Sequence, residues 1–273
     1  MVAAGASIAA MAPRTTSRAG ARLAATWKQV IATSTPVAAP PSTPATPTPA
    51  FASFRGVKLH LPVAPASITV LAFHQSSYND SYRMKPLVRI GSQAAAAKAA
   101  KKAKVAAAHP SKGVASSESR TESDARGVWV GSALELWRSG RHVNQDTAID
   151  CGAHPGTPVI SPVNGTVMEI RPYHLYGKYT DIEIHIRPDA WIDVDVVILH
   201  TTDPTVTEGE HVLGGITPVS HVRRLSGVVP GLQLATYSAD GGNHTHVQVN
   251  KVKKPGQPWI VGEDPPGMIR LGN

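Results

Sequence analysis

Short runs rich in Val and Ile, separated by turn residues, recur throughout the second half of this 273-residue chain. β-Branched side chains pack well on a pleated surface and lose freedom in a helix, so runs of this kind predict strands. The runs lie at residues 158–161, 166–170, 181–186, 194–200 and 245–249. Asn164-Gly165, between the first two runs, is typical of a tight hairpin turn. Residues 127–273, the body of the protein, are therefore predicted to form an all-β domain built on a twisted antiparallel sheet.

The first half of the chain differs from the body in charge and composition. Residues 1–125 carry 15 basic and 4 acidic side chains, a net charge of +11, whereas residues 126–273 carry 12 and 15, a net charge of −3. Ala, Pro and Thr dominate residues 1–50, which predicts a disordered leader. Residues 51–91 contain short β-like runs that either pack on the body or form a small separate unit. Residues 92–126 are predicted to be an Ala/Lys- and Ser-rich tether, either a solvated helix or flexible.

Several classes of protein are excluded by what the sequence lacks. A single cysteine, Cys151, excludes a disulfide-stapled scaffold and Cys-rich zinc folds. No apolar run approaches 18 residues, so no transmembrane segment is expected. Residues 1–12 lack a basic region before their apolar stretch and make a poor signal peptide. No aromatic residues lie between the lysines of the tether, which disfavours specific binding of nucleic acid. The positive charge of these lysines nevertheless suits contact with an anionic polymer. These lysines are Lys98, Lys101, Lys102 and Lys104.

Histidines are concentrated in the body, where nine of the twelve lie between His142 and His246. The sharpest local feature is the pair His244 and His246 within a predicted strand. Residues two positions apart on a strand point to the same face, about 7 Å from each other. Both imidazoles can therefore serve one site, in which one holds a metal and the other hydrogen-bonds a substrate or water.

Four motifs of the body occur in the order found in the lysostaphin/LytM-type zinc metalloendopeptidases. They are DCGAHPGTPV at 150–159, SPVNGTV at 161–167, VVILH at 196–200 followed by EGEHVLGG at 208–215, and GNHTHVQV at 242–249. The segment from about residue 138 to residue 250 thus resembles this family of peptidoglycan endopeptidases. The resemblance does not extend to residues 1–137.

The resemblance implies a groove domain that binds one zinc ion through Asp150 and His246. His200 and His244 would then be the catalytic histidines, which take a proton from a water of lowered pKa and stabilise the oxyanion of the attacked amide. The implied substrate is a peptide of bacterial peptidoglycan. The implied location is extracellular or associated with the cell wall, where the lysines of the tether could contact an anionic wall polymer.

The remaining zinc ligand of the family departs from the expected pattern. In the family it is a histidine four residues before the aspartate, but the residue four before Asp150 is Asp146. Either Asp146 takes this place, or His142, four residues before Asp146, begins the motif. A site of Asp146, Asp150 and His246 would be more anionic than usual and would favour a harder metal. The alternative function is a catalytically degenerate module that binds cell wall or a partner, or a structural tip component of a phage-like or secretion assembly.

Three tyrosines precede the predicted strand at 181–186. Tyr173, Tyr176 and Tyr179 either line a substrate groove or form a local packing cluster.

Overall fold

The computed structural model of the protein describes residues 46–77, 80–108 and 122–252, and the backbone of residues 268–270. Most of the predicted leader and the Ser-rich part of the predicted tether lie outside these residues. No helix in the described part of the chain is long and apolar enough to cross a membrane.

Strands dominate the described chain, so the all-β prediction is confirmed. The strands before the body are β1 (Ala50–Phe54), β2 (Val57–His60), β3 (Val70–His74), β4 (Lys85–Pro86) and β5 (Arg89–Ile90). Those of the body are β6 (Ser132–Glu135), β7 (Ala148–Gly152), β8 (Pro158–Ile160), β9 (Gly165–Leu175), β10 (Tyr179–Pro188), β11 (Val194–Thr202), β12 (His211–Val212), β13 (Pro218–Val222), β14 (His244–Lys251) and β15 (Met268–Arg270).

One large sheet runs in the order β12-β9-β10-β11-β14-β7-β3-β6-β5, and a small sheet has the order β2-β1-β4. The central strands of the large sheet, from β9 to β3, pair antiparallel, whereas β6 pairs parallel with both β3 and β5. The antiparallel centre includes all the strands that carry the histidines and the aspartate singled out by the family resemblance.

Strand β3 lies inside the large sheet although it precedes the body in sequence. It pairs with β7 so that Val70 is opposite Gly152, Ala72 is opposite Asp150 and His74 is opposite Ala148. Gly152 permits this close approach, because a Cβ atom there would lie 2.6 Å from Oγ1 of Thr69. The β-like run ending at His74 therefore belongs to the sheet that carries the motifs.

The main hydrophobic core joins both sheets. Its largest fully buried side chains are Phe51, Leu59, Leu61, Leu71, Phe73, Met84, Ile149, Ile184, Ile186 and Ile198. The alternation in β10 places Ile184 and Ile186 in this core, as the period of two predicts. The opposite face of β10 is buried as well, although it carries Asp181, Glu183 and His185. Buried ionisable groups need partners, so this polar face has to be internally paired.

The Ala/Lys segment forms the helix α1 (Gln93–Ala108). Ala96 packs against a small apolar cluster that includes Leu134 and Leu136, and Lys104 donates a hydrogen bond to the carbonyl of Ala235. Most of the remaining side chains of α1 are exposed.

Candidate metal centre

His74, Asp150 and His246 form a buried group at the centre of the large sheet. One potential ligand atom from each residue lies within 4.8 Å of those of the other two. The strand register explains why they meet: β14 pairs with β7 so that His246 is opposite Asp150. On the other side of β7, Ala72 is opposite Asp150, and His74 follows two residues later on the same face.

The contacts of His74 allow a tautomer that leaves one ring nitrogen available to a metal. Its Nδ1 lies 2.6 Å from the backbone carbonyl of Gln75. In this tautomer Nδ1 carries the proton and donates to the carbonyl, which only accepts. The lone pair of Nε2 then faces Asp150, 2.9 Å from Oδ1.

His246 is held in the opposite tautomer. Its Nε2 donates to Oε1 of Gln248 over 3.0 Å, and the Gln248 amide nitrogen donates in turn to Asn250. The lone pair of His246 Nδ1 therefore points inward, 2.9 Å from the same Oδ1 of Asp150. Ligating histidines characteristically donate their second ring nitrogen to a carbonyl or a similar acceptor in this way.

The charge state of this group suits a cation. Burial is the main cause that lowers the pKa of His74, to about 3, and it also lowers the pKa of His246, so both rings are neutral at pH 7. Burial alone would raise the pKa of Asp150, but the Arg138 guanidinium and the neighbouring histidines hold it well below its usual range. Two imidazole lone pairs and a carboxylate oxygen thus converge without a proton to share. Two nitrogens and one oxygen are a donor set that fits zinc.

A second histidine pair lies beside this group. His200 donates from Nδ1 to Oδ2 of Asp181 over 2.6 Å, and His244 donates from Nδ1 to the carbonyl of Gly242 over 2.7 Å. The two rings lie edge to face, with centroids 4.9 Å apart. His244 Nε2 is 3.7 Å from Asp150 Oδ1, and burial lowers the His244 pKa to about 4.

The backbone at His200 is unusual for a strand. Its φ of +62° is in the left-handed region, which L-residues rarely adopt. Such strain persists only where the surroundings impose it, and it is common at functional sites. The hydrogen bond to Asp181 is one of the contacts that hold His200 in this position.

A cavity of about 300 Å³ opens next to this histidine pair. His200 and His244 form part of its wall. The other walls come from the segment after β6, the end of β9 and the loop before β14; they include Trp137, Arg138, Arg141, Tyr176 and Leu232. A peptide in this cavity would lie against both histidines.

No protein-family model and no curated protein matches the chain. Solved structures do match. The structure of LytU is 20% identical, with 49% of this chain and 74% of that chain covered and a TM-score of 0.32. A zinc-containing peptidase from Vibrio cholerae is 22% identical, with 43% of this chain and 30% of that chain covered and a TM-score of 0.29. The catalytic domain of the prophage-encoded protein EnpA from Enterococcus faecalis is 19% identical, with 44% of this chain and 78% of that chain covered and a TM-score of 0.29.

The described chain is an all-β domain, and these three structures are similar to 43–49% of the chain.

Four of the residues predicted from the sequence come together in the described structure. Asp150 and His246 belong to the candidate metal group, and His200 and His244 lie beside it. The third potential ligand atom of this group belongs to His74, which neither expectation named.

Asp146 and His142 lie outside the candidate metal group. Asp146 is in the turn before β7, with a φ of +61°, and its Oδ2 accepts a hydrogen bond of 2.9 Å from Arg83. His142 is exposed. Among the described residues, the group that could hold a metal contains His74 and neither Asp146 nor His142. The physical reason is that β3 occupies the place next to β7, so a residue of β3 can reach Oδ1 of Asp150.

The three tyrosines separate in the structure. Tyr176 is 63% exposed and lines the cavity. Tyr173 is buried and donates its hydroxyl proton to Oδ2 of Asp181, the oxygen that also accepts from His200. Tyr179 packs against the apolar cluster around Tyr173. Of these three tyrosines, only Tyr176 lines the cavity, and Tyr173 contacts the site through Asp181.

Proposed function

We propose that this all-β domain is a LytM-type, zinc-dependent endopeptidase that hydrolyses peptide bonds in bacterial peptidoglycan. The observation that carries this proposal is the convergence of His74 Nε2, Asp150 Oδ1 and His246 Nδ1 in a buried group, with the second nitrogen of each ring already donated elsewhere. The zinc-containing peptidase among the similar structures is consistent with it.

His74, Asp150 and His246 would hold one zinc ion. When bound, zinc supplies a Lewis acid that polarises a carbonyl and lowers the pKa of water to about 7. All three side chains are at least nine-tenths buried.

His200 is the proton carrier in this proposal. Because Nδ1 donates to Asp181, the lone pair of Nε2 is free to take a proton from the attacking water. Asp181 stabilises the imidazolium that forms and keeps the ring oriented, as the buried carboxylate of a catalytic triad does. The proton then passes from Nε2 to the nitrogen of the departing amine.

His244 has a different part. It is neutral at pH 7, because its pKa is lowered to about 4. With Nδ1 donated to Gly242, its Nε2 accepts a hydrogen bond from the attacking water and orients it toward the carbonyl carbon. The imidazolium of His200 donates a hydrogen bond to the oxyanion. The two histidines together thus support hydrolysis, the transfer of the acyl group to water.

The alternative function, a catalytically degenerate module that binds cell wall or a partner, rests on Asp146 at the first ligand position of the motif. In the proposed site His74 takes that position, which favours the enzyme. The substrate proposed is a peptidoglycan peptide at the cell wall, and contact of the lysines of α1 with an anionic wall polymer remains a separate proposal.

The experiment measures zinc and hydrolysis in the same samples of the full chain. Zinc per chain is determined by elemental analysis after chelation and reloading, and new amino groups are counted after incubation with purified cell wall. We expect one zinc per chain in the wild type, loss of zinc and activity in His246→Ala, and loss of activity with zinc retained in His200→Ala. Fully active metal-free protein contradicts the proposal. Tight wall binding with neither metal nor cleavage would instead support the degenerate module.

A further inference from the structure

The cavity beside His200 and His244 has a strongly one-sided charge. Two arginines, Arg138 and Arg141, are among its lining residues, and no Asp or Glu is. Apart from these two arginines and the two histidines His200 and His244, the lining side chains carry no ionisable group that is charged at pH 7. A substrate that enters this cavity therefore meets two guanidinium groups close to the reacting centre.

Arg138 is only partly neutralised. It donates from one terminal nitrogen to Oδ2 of Asp150, while its Nε is buried and has no hydrogen-bond partner among the described residues. Asp150 offers a single negative charge, and in the proposed enzyme its Oδ1 is used by the zinc ion. The net charge around Asp150 is then positive, which favours an anionic group on the substrate.

Arg141 has no carboxylate partner within ion-pair distance in the described part of the chain. Its terminal nitrogen donates to the backbone carbonyl of Gln75, which is a neutral acceptor. Its guanidinium is positively charged at pH 7. One contact uses one of the five N–H donors of a guanidinium, and the fork geometry of the others matches a carboxylate.

We propose that Arg138 and Arg141 form a subsite for a carboxylate on the substrate peptide, and that Arg141 determines the preference for it. The inference rests on the proposed function, since it names which peptides that site selects. The carboxylate is either an acidic side chain next to the scissile bond or the C-terminal group of the peptide, and both would be bound by the same charge-assisted hydrogen bonds.

The test uses a synthetic cross-linked peptidoglycan peptide in four forms: all carboxylates free, only the C-terminal ones amidated, only the side-chain ones amidated, and all amidated. For the wild type we expect kcat/KM to fall at least about 10-fold on amidation of the recognised group, whichever it is. Arg141→Gln should lower kcat/KM about 10-fold or more for the free form and less than about twofold for the fully amidated form. Arg141→Lys should recover part of the loss, because it restores the charge without the fork.

Controls separate selectivity from structure. Arg89→Gln removes an equal charge from an exposed position outside the cavity lining and should leave the preference unchanged. Zinc content should be equal in all variants. Equal cleavage of free and amidated peptides by the wild type, or an equal loss on both in Arg141→Gln, would overturn the inference.

A binding measurement keeps the inference independent of catalysis. The dissociation constants of the free and fully amidated peptides are measured by calorimetry with zinc-loaded His200→Ala and with His200→Ala/Arg141→Gln. We expect the dissociation constant of His200→Ala to be about 10-fold lower for the free peptide than for the amidated peptide. The double variant His200→Ala/Arg141→Gln should bind both peptides equally. If no peptide form is cut but the preference in binding is present, the proposed function fails and the carboxylate subsite stands.

Discussion

His74 Nε2 lies 2.9 Å from Asp150 Oδ1, although 76 residues separate the two in the sequence. Three neighbouring strands, β3, β7 and β14, each contribute one residue to the candidate metal group. In the proposed zinc site, the ligand expected four residues before the aspartate is His74, which lies on a separate strand. The site depends on the pairing of β3 with β7 as much as on the motif itself.

Replacing His74 by Ala should abolish zinc binding. The change removes one of three protein donors in a site whose affinity depends on all of them. We expect zinc per chain, measured by elemental analysis after reloading, to fall from about one to near zero. His142→Ala and Asp146→Asn test the two motif registers and should keep a full complement of zinc. Loss of zinc in Asp146→Asn with retention in His74→Ala would reverse the assignment.

Asp181 should matter for turnover and not for metal content. Asp181→Asn removes the charge that stabilises the His200 imidazolium and alters the ring tautomer, so we expect kcat to fall about 100-fold or more. Zinc content should stay near one per chain. Tyr173→Phe is the matched control, since it removes only a neutral donor from the same oxygen of Asp181. An equal loss of kcat in both variants would show that packing around Asp181, and not its charge, is what counts.

Gln248 should tune the affinity for zinc from outside the ligand group. It accepts the Nε2–H of His246 and so keeps Nδ1 free for the metal. Gln248→Leu is expected to weaken zinc affinity about 10- to 100-fold, measured by competition with a chelator of known affinity. Gln248→Glu retains the acceptor and should stay closer to the wild type. Equal weakening by both substitutions would argue against control of the tautomer.

The buried polar face of β10 predicts a pH-dependent stability. Burial lowers the pKa of His185, but Asp195, 2.7 Å from Nδ1, and Glu183 outweigh this and raise it to about 10. A pKa raised above the ordinary 6.5 adds stability that is fully present below pH 6.5 and is lost as the pH rises through 10. His185→Gln leaves the carboxylates without this charge and should cost roughly 3–5 kcal/mol below pH 6.5.

The measurement for His185 is urea unfolding of wild type and variant between pH 6 and pH 10. The difference between their free energies of unfolding should shrink steadily as the pH rises, because the wild type loses what the variant lacks. Other titrating groups affect both proteins and cancel in the difference. A difference that stays constant with pH would show that His185 is neutral in the folded protein.

The sequence predicts those parts of the site whose signals are local. The H-x-H pair, His200 at the end of a Val/Ile run and Asp150 before its hairpin all depend on periodicity and short spacing, and the structure brings them together. His74 has no such signal. It ends a strand-like run in a segment outside the motifs, and strand pairing across 76 residues leaves no local trace. A histidine at the end of a β-like run is the one feature that could have drawn attention to it.

Gly152 offers a test of the β3–β7 pairing that touches no ligand. A Cβ atom at this position would lie 2.6 Å from Oγ1 of Thr69 and 2.8 Å from Cγ1 of Val70, so Gly152→Ala should push β3 away from β7. We expect a loss of roughly 1–3 kcal/mol in stability and a weaker affinity for zinc, because the same strand carries His74. Adding Val70→Ala and Thr69→Ala removes both of these atoms and should recover part of the zinc affinity. If Gly152→Ala lowers stability but leaves zinc affinity unchanged, the position of His74 does not depend on this close approach.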